Sequence, residues 1–367
     1  MALNQVGLER LNTATTKKIG TNKNLIINGA MNVSQRSTSE TGLGASAGYF
    51  TLDRYRTTFN STAGRLTMAQ VADVHDGFAN AMKFTCTTAD TSVGASEYFI
   101  LQQKIEGQDL QQLKKGSSDA EEFTVSFYVK GNASATYVVE MYDLDNNRQV
   151  GKTFSVTTSW TRVELTFPAD TTGALDDDNA ASLQLGIWLH AGSNYTSGTL
   201  ATSWISNVSA QRAGGISSFF DSTNRTFFLT GLQLEVGSVA TDFEHRSYCD
   251  ELIRCQRYYY KHFANNNEFF RGMGMADVDG NSIELNSPFP TTMRVAPSAL
   301  EQTGNASDYK IRRSTTATCT SVPSFGHATT DQLQCRFTKS SHGFGDGSAV
   351  RCGSGTAGGF LAVSAEL

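Results

Sequence analysis

The feature that most limits this chain is a series of nine short runs, each set off by Gly, Asn, Asp, Ser or Thr: LTMAQV (66–71), AMKFTCT (81–87), EYFILQQKI (97–105), EFTVSFYVKG (122–131), TYVVEMYD (136–143), KTFSVT (152–157), WTRVELTFP (160–168), SLQLGIWLH (182–190) and FFLTGLQLEVG (227–237). Such spacing is the signature of a β-sandwich. In several runs the apolar side chains alternate. Phe123, Val125, Phe127 and Val129 share one face and Thr124, Ser126 and Tyr128 the other, because strand side chains repeat with period two. One face is expected to be core and the other wet. Asp145-Asn146-Asn147, lying between two runs, predicts a hairpin turn, since Asn and Asp tolerate positive φ. The 33 glycines also favour strands and turns over long helices.

Hydrophobic residues make up 39% of the 367 residues and charged residues 18%, so the chain is expected to fold rather than remain disordered. Its formal net charge of −5, with no Lys/Arg cluster longer than a pair, leaves no basic field for nucleic acid or anionic lipid. No apolar run long enough to span a bilayer is present, and the first twenty residues lack a signal-peptide core. Synthesis in a cytosol is the expectation. Six cysteines without CxxC spacing are then expected to be buried thiols rather than bridges.

Along the chain, residues 1–23 form a polar leader that reads as a docking segment. Residues 24–246 carry the strands of a mostly β, jelly-roll sandwich. At 247–262 the period changes. Tyr248, Leu252, Cys255 and Tyr259 recur at helical spacing after a potential Ser247 cap, predicting one short bracing helix. Strand signals resume over 263–367, suggesting a small C-terminal β domain.

Candidate chemistry is sparse. Asp143 and Asp145, with Glu140 nearby, have the residue types of a glycosidase pair, but their DLDNN setting predicts solvated turn acids. Asp176-Asp177-Asp178-Asn179 offers hard oxygen ligands without EF-hand spacing and reads as a solvated loop. The six histidines form no zinc motif. The glycines of 343–348 and 353–359 lack the Lys-Ser/Thr ending of a phosphate loop, and no G-x-S-x-G occurs. No catalytic residue is expected. Aromatic rings suit sugar stacking. Trp188, between Ile187 and Leu189, reads as core and Trp160 as packing, whereas Trp204, in a loop-rich segment, is the candidate exposed ring. Tyr258 and Tyr260, beside Arg257, are the other candidate glycan-binding residues.

The blocks NLIINGAMNVSQRS (24–37), GYFTLDRYR (48–56), FTVSFYVKG (123–131), WTRVELTFP (160–168) and GLQLEVGSVATDFEHRSYCDELIRCQRYY (231–259) resemble the carbohydrate-binding-module-like jelly roll of phage tail fibres and other virion appendage proteins, especially those of marine and cyanobacterial phages. FPTTMRVAPS (289–298) resembles the start of the small β module that often follows. The resemblance implies a non-enzymatic virion structural protein, assembled in the host cytoplasm. It further implies a homo-oligomer, expected to be a trimer, that contacts other tail or capsid proteins and attaches to a host-surface glycan. A decoration protein without a glycan ligand is the alternative, and a polysaccharide depolymerase a more distant one. The resemblance also brings a structural Ca²⁺ whose ligands it does not identify; no other cofactor is expected.

Overall fold

The structure, a computed structural model, describes residues 22–263, 269–270, 273–277, 279–356 and 358–367. Residues 1–21 of the expected docking segment therefore lie outside the described residues. The chain divides into two compact units, Met1–Ser247 and Tyr248–Leu367.

The first unit is a jelly-roll sandwich. One sheet runs in the order β1 (Ser39–Leu43), β4 (Arg65–Val71), β5 (Ala81–Thr88), β13 (Thr226–Val236), β7 (Phe123–Gly131), β10 (Thr161–Phe167). The other runs β12 (Ile205–Ser206), β9 (Arg148–Val156), β8 (Ala135–Asp143), β11 (Ala181–Ala191), β6 (Tyr98–Glu106), β3 (Arg56–Asn60), β2 (Gly48–Tyr49). Neighbours pair antiparallel throughout. The nine runs read from the sequence become β4 to β11 and β13. The short or polar strands β1, β2, β3 and β12 gave too little alternation to be read in advance.

Period two places one face of every long strand in a common core. Phe123, Val125, Phe127 and Val129 of β7 meet Tyr137, Val139 and Met141 of β8 and Phe99 and Leu101 of β6 there, with Phe84, Phe219 and Phe227 among them. Edge-to-face ring pairs such as Phe84–Phe99 at 5.2 Å and Phe127–Phe154 at 5.0 Å fill the gap between the sheets. The DLDNN segment is a tight turn with Asn147 at φ 54°, and it sets the register of β8 on β9 from Asp143↔Arg148 to Ala135↔Val156. Gly231, at φ 63°, sits where the β13–β7 register shifts between Thr230 and Gln233, a backbone geometry that disfavours a side chain.

The expected wet face is corrected on both sheets. Thr124 and Ser126 are buried, because the chain after β13 returns over that face: Thr124 Oγ1 donates to Gly237 O at 2.7 Å, and Thr166 Oγ1 to Ser238 O at 2.8 Å. Glu140 and Asp143, read as solvated, are also buried, at 1% and 0% exposure. Residues 192–217 fold over part of the outer face of the second sheet, and Val138 and Trp188 of that face pack against Ala213 of the segment. Asp145 alone of the three acids is exposed.

In the second unit the predicted helix is α2 (Tyr248–Gln256), preceded among short helices by the single turn α1 (Ser193–Thr196) of the first unit. The helix ends well before residue 262. Tyr259–Phe263 is instead a strand, pairing Tyr259↔Ser364 and Tyr260↔Val363 with the strand Leu361–Ser364. Successive aromatic residues favour extended backbone, and this partner satisfies it. Glu301–Gln302 completes a three-stranded sheet. A seven-stranded sheet follows the order Thr316–Thr318, Tyr309–Arg312, Ala349–Ser354, Gly274–Ala276, Ser282–Pro288, Gln332–Thr338, Ser324–Ala328. Ile283, Leu285, Phe337 and Val350 are central in its core.

The six cysteines form no disulfide; five are buried, and Cys249, contrary to expectation, is exposed. Burial pushes the Cys86 thiol up to about 11 and those of Cys319 and Cys335 up to about 12, so they remain protonated and unreactive near neutrality. A maleimide added to the native chain is expected to modify Cys249 only, with the other five reacting after denaturation; intact-mass measurement counts the adducts.

Candidate functional site

The outer face of the β12–β9–β8–β11–β6–β3–β2 sheet of the first unit carries a cleft of about 250 Å³. Its residues follow from strand alternation. Register aligns Gln102 of β6 with Gly186 of β11 and Glu140 of β8, and aligns Ile100 with Trp188 and Val138. Tyr98, Ile100 and Gln102 therefore line one side, Gln184 and Trp188 the floor, and Tyr142 and Leu144 the other side. Gly186 contributes only backbone to this face. A Cβ there would come within 3.3 Å of Ile100 Cγ2 and no nearer to anything else.

The folded-over segment supplies Tyr195 and Arg212 to the wall. Arg212 donates from Nε to Glu140 Oε1 and from Nη2 to Glu140 Oε2, both at 2.7 Å. Its guanidinium lies 4.9 Å from the centre of the Trp188 ring and 4.6 Å from that of Tyr142, a cation–π arrangement. Trp188 Nε1 donates to Glu140 Oε2 at 2.9 Å. The carboxylate is thus fully engaged, and the local charges cancel. Tyr98 and Tyr195 meet edge to face at 5.4 Å, and each contacts the Trp188 ring. Burial pushes the phenols of Tyr142 and Tyr195 up, so both remain neutral hydroxyls.

Two amides give the cleft its recognition capacity. Thr58 Oγ1 donates to Gln102 Oε1 at 2.7 Å, leaving the Gln102 NH₂ without a hydrogen-bond partner among the described residues. The Gln184 carboxamide likewise makes no hydrogen bond to them. Polar groups in a mostly buried position ordinarily find partners, and here the partner must come from the cleft. Aromatic walls, unused amide donors and acceptors, and no net charge suit a neutral polyhydroxylated ligand. A hollow of about 520 Å³ lined by Ser193, Asn194, Ser197 and Ser209 is larger, but Tyr195 is its only ring.

None of the glycan-binding residues read from the sequence lines this cleft. Trp204 is half-buried. Its Nε1 donates to Pro168 O at 2.9 Å, and its ring packs against Phe123 and under the Lys115 ammonium, 5.2 Å from the ring centre. Tyr258 and Tyr260 are only 1% and 5% exposed, so neither offers a ring face to a ligand. Trp188 is buried as expected, yet it is the floor of the site. The readable signal was the second face of strands already assigned: Tyr98-x-Ile100-x-Gln102, Gln184-x-Gly186-x-Trp188 and Glu140-x-Tyr142 place aromatic and amide groups opposite an apolar core face.

The loop 176–179 is solvated, as its sequence suggests. All four residues are exposed, Asp178 Oδ1 accepts from Ala180 N, and Asp176 donates its N–H to Asp145 Oδ2 and accepts at its carbonyl from Gln111 Nε2. These side chains do not converge on the six to eight oxygens that Ca²⁺ takes. No helix among the described residues is long and apolar enough to cross a membrane.

No family model matches the sequence, and no curated protein matches it. Among solved structures the chain is similar to a family 4 carbohydrate-binding module (CBM4), at 13% identity and TM-score 0.30, over 57% of this chain and 97% of that one. It is similar to TmCBM61, solved in complex with β-1,4-galactotriose, at 12% identity and TM-score 0.30, over 58% and 98%. It is also similar to the enzymatically active domain of the bacteriophage CBA120 tailspike protein 4, at 12% identity and TM-score 0.32. That match covers 58% of this chain and about a fifth, 21%, of the tailspike chain. These are likenesses of fold.

Proposed function

We propose that the first unit binds a sugar unit of a glycan in the cleft between Tyr98, Tyr142 and Tyr195, and that it acts by binding alone. The observation that carries this reading is the pair of amides, Gln102 and Gln184, with unused hydrogen-bonding capacity between aromatic rings. Glu140, the carboxylate under the cleft, is held in an ion pair and an indole hydrogen bond, which suits it to structure rather than acid–base work. A cleft of 250 Å³ lies below the range of about 300–1,000 Å³ usual for small-molecule sites, so each site grips a short segment weakly. Repetition of the unit in an oligomer compensates through avidity.

The resemblance of blocks 24–37 and 231–259 supports placing this binding on a phage virion, as a tail-fibre or appendage subunit that attaches to host-surface glycan. We propose a homotrimer for it. Titration of the full chain with host-surface oligosaccharides, followed by calorimetry, tests the cleft. Tyr98→Ala and Gln184→Ala are each expected to weaken binding by about tenfold or more, at least 1.4 kcal/mol. Gly186→Val, which fills the floor, is expected to abolish it while the circular dichroism stays unchanged. Binding unaffected by all three substitutions places the ligand elsewhere, and shortened product oligosaccharides overturn the non-enzymatic reading. Light scattering on the same sample tests the trimer.

A further inference from the structure

Asp90 follows β5, Glu97 immediately precedes β6, and His190 stands at the end of β11. A register irregularity between Trp188 and His190 turns the imidazole out of strict alternation. One ligand atom from each of the three side chains lies within 4.8 Å of the other two, and His190 Nε2 stands 3.3 Å from Glu97 Oε2. Metal–ligand bonds of about 2.0–2.2 Å in a tetrahedral site place ligand atoms roughly 3.3–3.5 Å apart. The group is therefore close to a coordinating arrangement before any ion enters.

The surroundings hold these groups in position as outer-shell partners of metal ligands do. His190 Nδ1 is 2.8 Å from Ser218 Oγ, which also accepts from Phe220 N at 3.1 Å. The Phe220 ring abuts the imidazole edge to face at 5.3 Å. Asp90 Oδ2 accepts from Thr62 Oγ1 and from Ala63 N, both at 2.8 Å. Asp90 and His190 are buried, and the Glu97 side chain, 12% exposed, is the one of the three that solvent reaches.

We propose that Asp90, Glu97 and His190 form a binding site for a single divalent transition-metal cation of the Zn²⁺ class. One imidazole nitrogen with two carboxylates is a donor set that Zn²⁺ accepts, whereas Ca²⁺ asks for six to eight oxygens. The ion joins two segments that already touch through Gly192 N to Glu97 O at 2.8 Å and Asn194 N to Ala95 O at 2.9 Å. Those segments carry Tyr98 and Tyr195, so the ion clamps one end of the cleft. The cation site does not depend on what the cleft binds.

The test uses the full chain, free of any polyhistidine tag and stripped with a chelator, titrated with ZnCl₂ by calorimetry and followed by thermal unfolding. One equivalent is expected to bind, with a rise in Tm of about 5–10 °C at a hundredfold excess over Kd. His190→Gln and Glu97→Gln are each expected to weaken Zn²⁺ binding by about tenfold or more, with unchanged circular dichroism. Should His190→Gln fail to fold, Glu97→Gln, at the one ligand position that solvent reaches, decides alone. An absence of binding in the parent chain, or binding retained at full strength by Glu97→Gln, overturns the site. Oligosaccharide titration of the metal-free chain separates this outcome from that of the glycan reading.

Discussion

Replacing Arg212 by Met is expected to destabilise the first unit by about 3–5 kcal/mol, because it leaves the Glu140 carboxylate buried without its counter-charge. Glu140 is almost wholly enclosed and depends on two 2.7 Å bonds from Arg212, with one more from the Trp188 indole. The double variant Glu140→Gln/Arg212→Met is expected to recover much of the loss, since a carboxamide carries no charge and still accepts from Trp188. Urea denaturation of the single and double variants measures both quantities. A single-variant loss below about 1 kcal/mol would show that the pair behaves as an exposed one and that the segment does not seal the face. Arg212 also walls the cleft, so the double variant serves as a folded chain lacking one side of the site.

The second large effect is expected at Lys115→Met. The ammonium is nearly inaccessible and bonds to Asp143 and Asp170, the latter at 3.0 Å, and to Thr172 O and Gly173 O at 2.9 and 2.8 Å. Arg148 still holds Asp170 through two bonds of 2.8 and 3.0 Å, but the Asp143 carboxylate keeps only the backbone and side-chain N–H groups of Asn146 among the described residues. A loss of about 3–5 kcal/mol at pH 7 follows from stranding that buried carboxylate.

The pH dependence gives this prediction a second readout. Burial alone would raise the Asp170 carboxyl, yet bonds from Arg148 and Lys115 outweigh it and hold the group below its ordinary value. Its folded pKa is therefore below the unfolded value of about 3.9. The stabilisation is complete above the unfolded value and disappears as pH falls through the folded one. Without Lys115 the depression shrinks, so the acid limb, which begins at the unfolded value in both chains, is expected to be smaller in the variant and to end at a higher pH than in the parent. Denaturation midpoints collected between pH 7 and pH 3 check this displacement.

Both predictions fall on residues that a reading of the sequence assigned differently, and the reason is common to them. Alternation in TYVVEMYD states that Glu140 and Tyr142 share a face opposite Val139 and Met141; it does not state what lies against that face. Glu140 and Asp143 were read as solvated because DLDNN is a turn, and the turn is real, with Asn147 at positive φ. Their burial comes from residues far along the chain: Arg212 is 72 positions from Glu140, and Lys115 is 28 from Asp143. Trp204 was expected to be exposed because its neighbours are loop-forming, but Lys115 and Pro168 claim its ring and its N–H. Tyr258 and Tyr260 were read on a helix surface, whereas pairing with the C-terminal strand draws Tyr259–Phe263 into a sheet.

By itself the sequence determined the local properties: nine strands from period-two alternation, the hairpin at 144–147 from Asn and Asp, a short helix beginning at Tyr248, and a mostly β jelly roll with a second β unit. These depend on backbone preferences and on which side chains share a face, and both are encoded within a few residues. Only the tertiary structure decided which second faces are covered, which acids are paired, and that Tyr98, Gln102, Gln184, Trp188, Tyr195 and Arg212 meet in one cleft. That decision rests on strand order and on the path of residues 192–217. Burial and ion pairing are set by groups distant in sequence, whose approach no local pattern specifies.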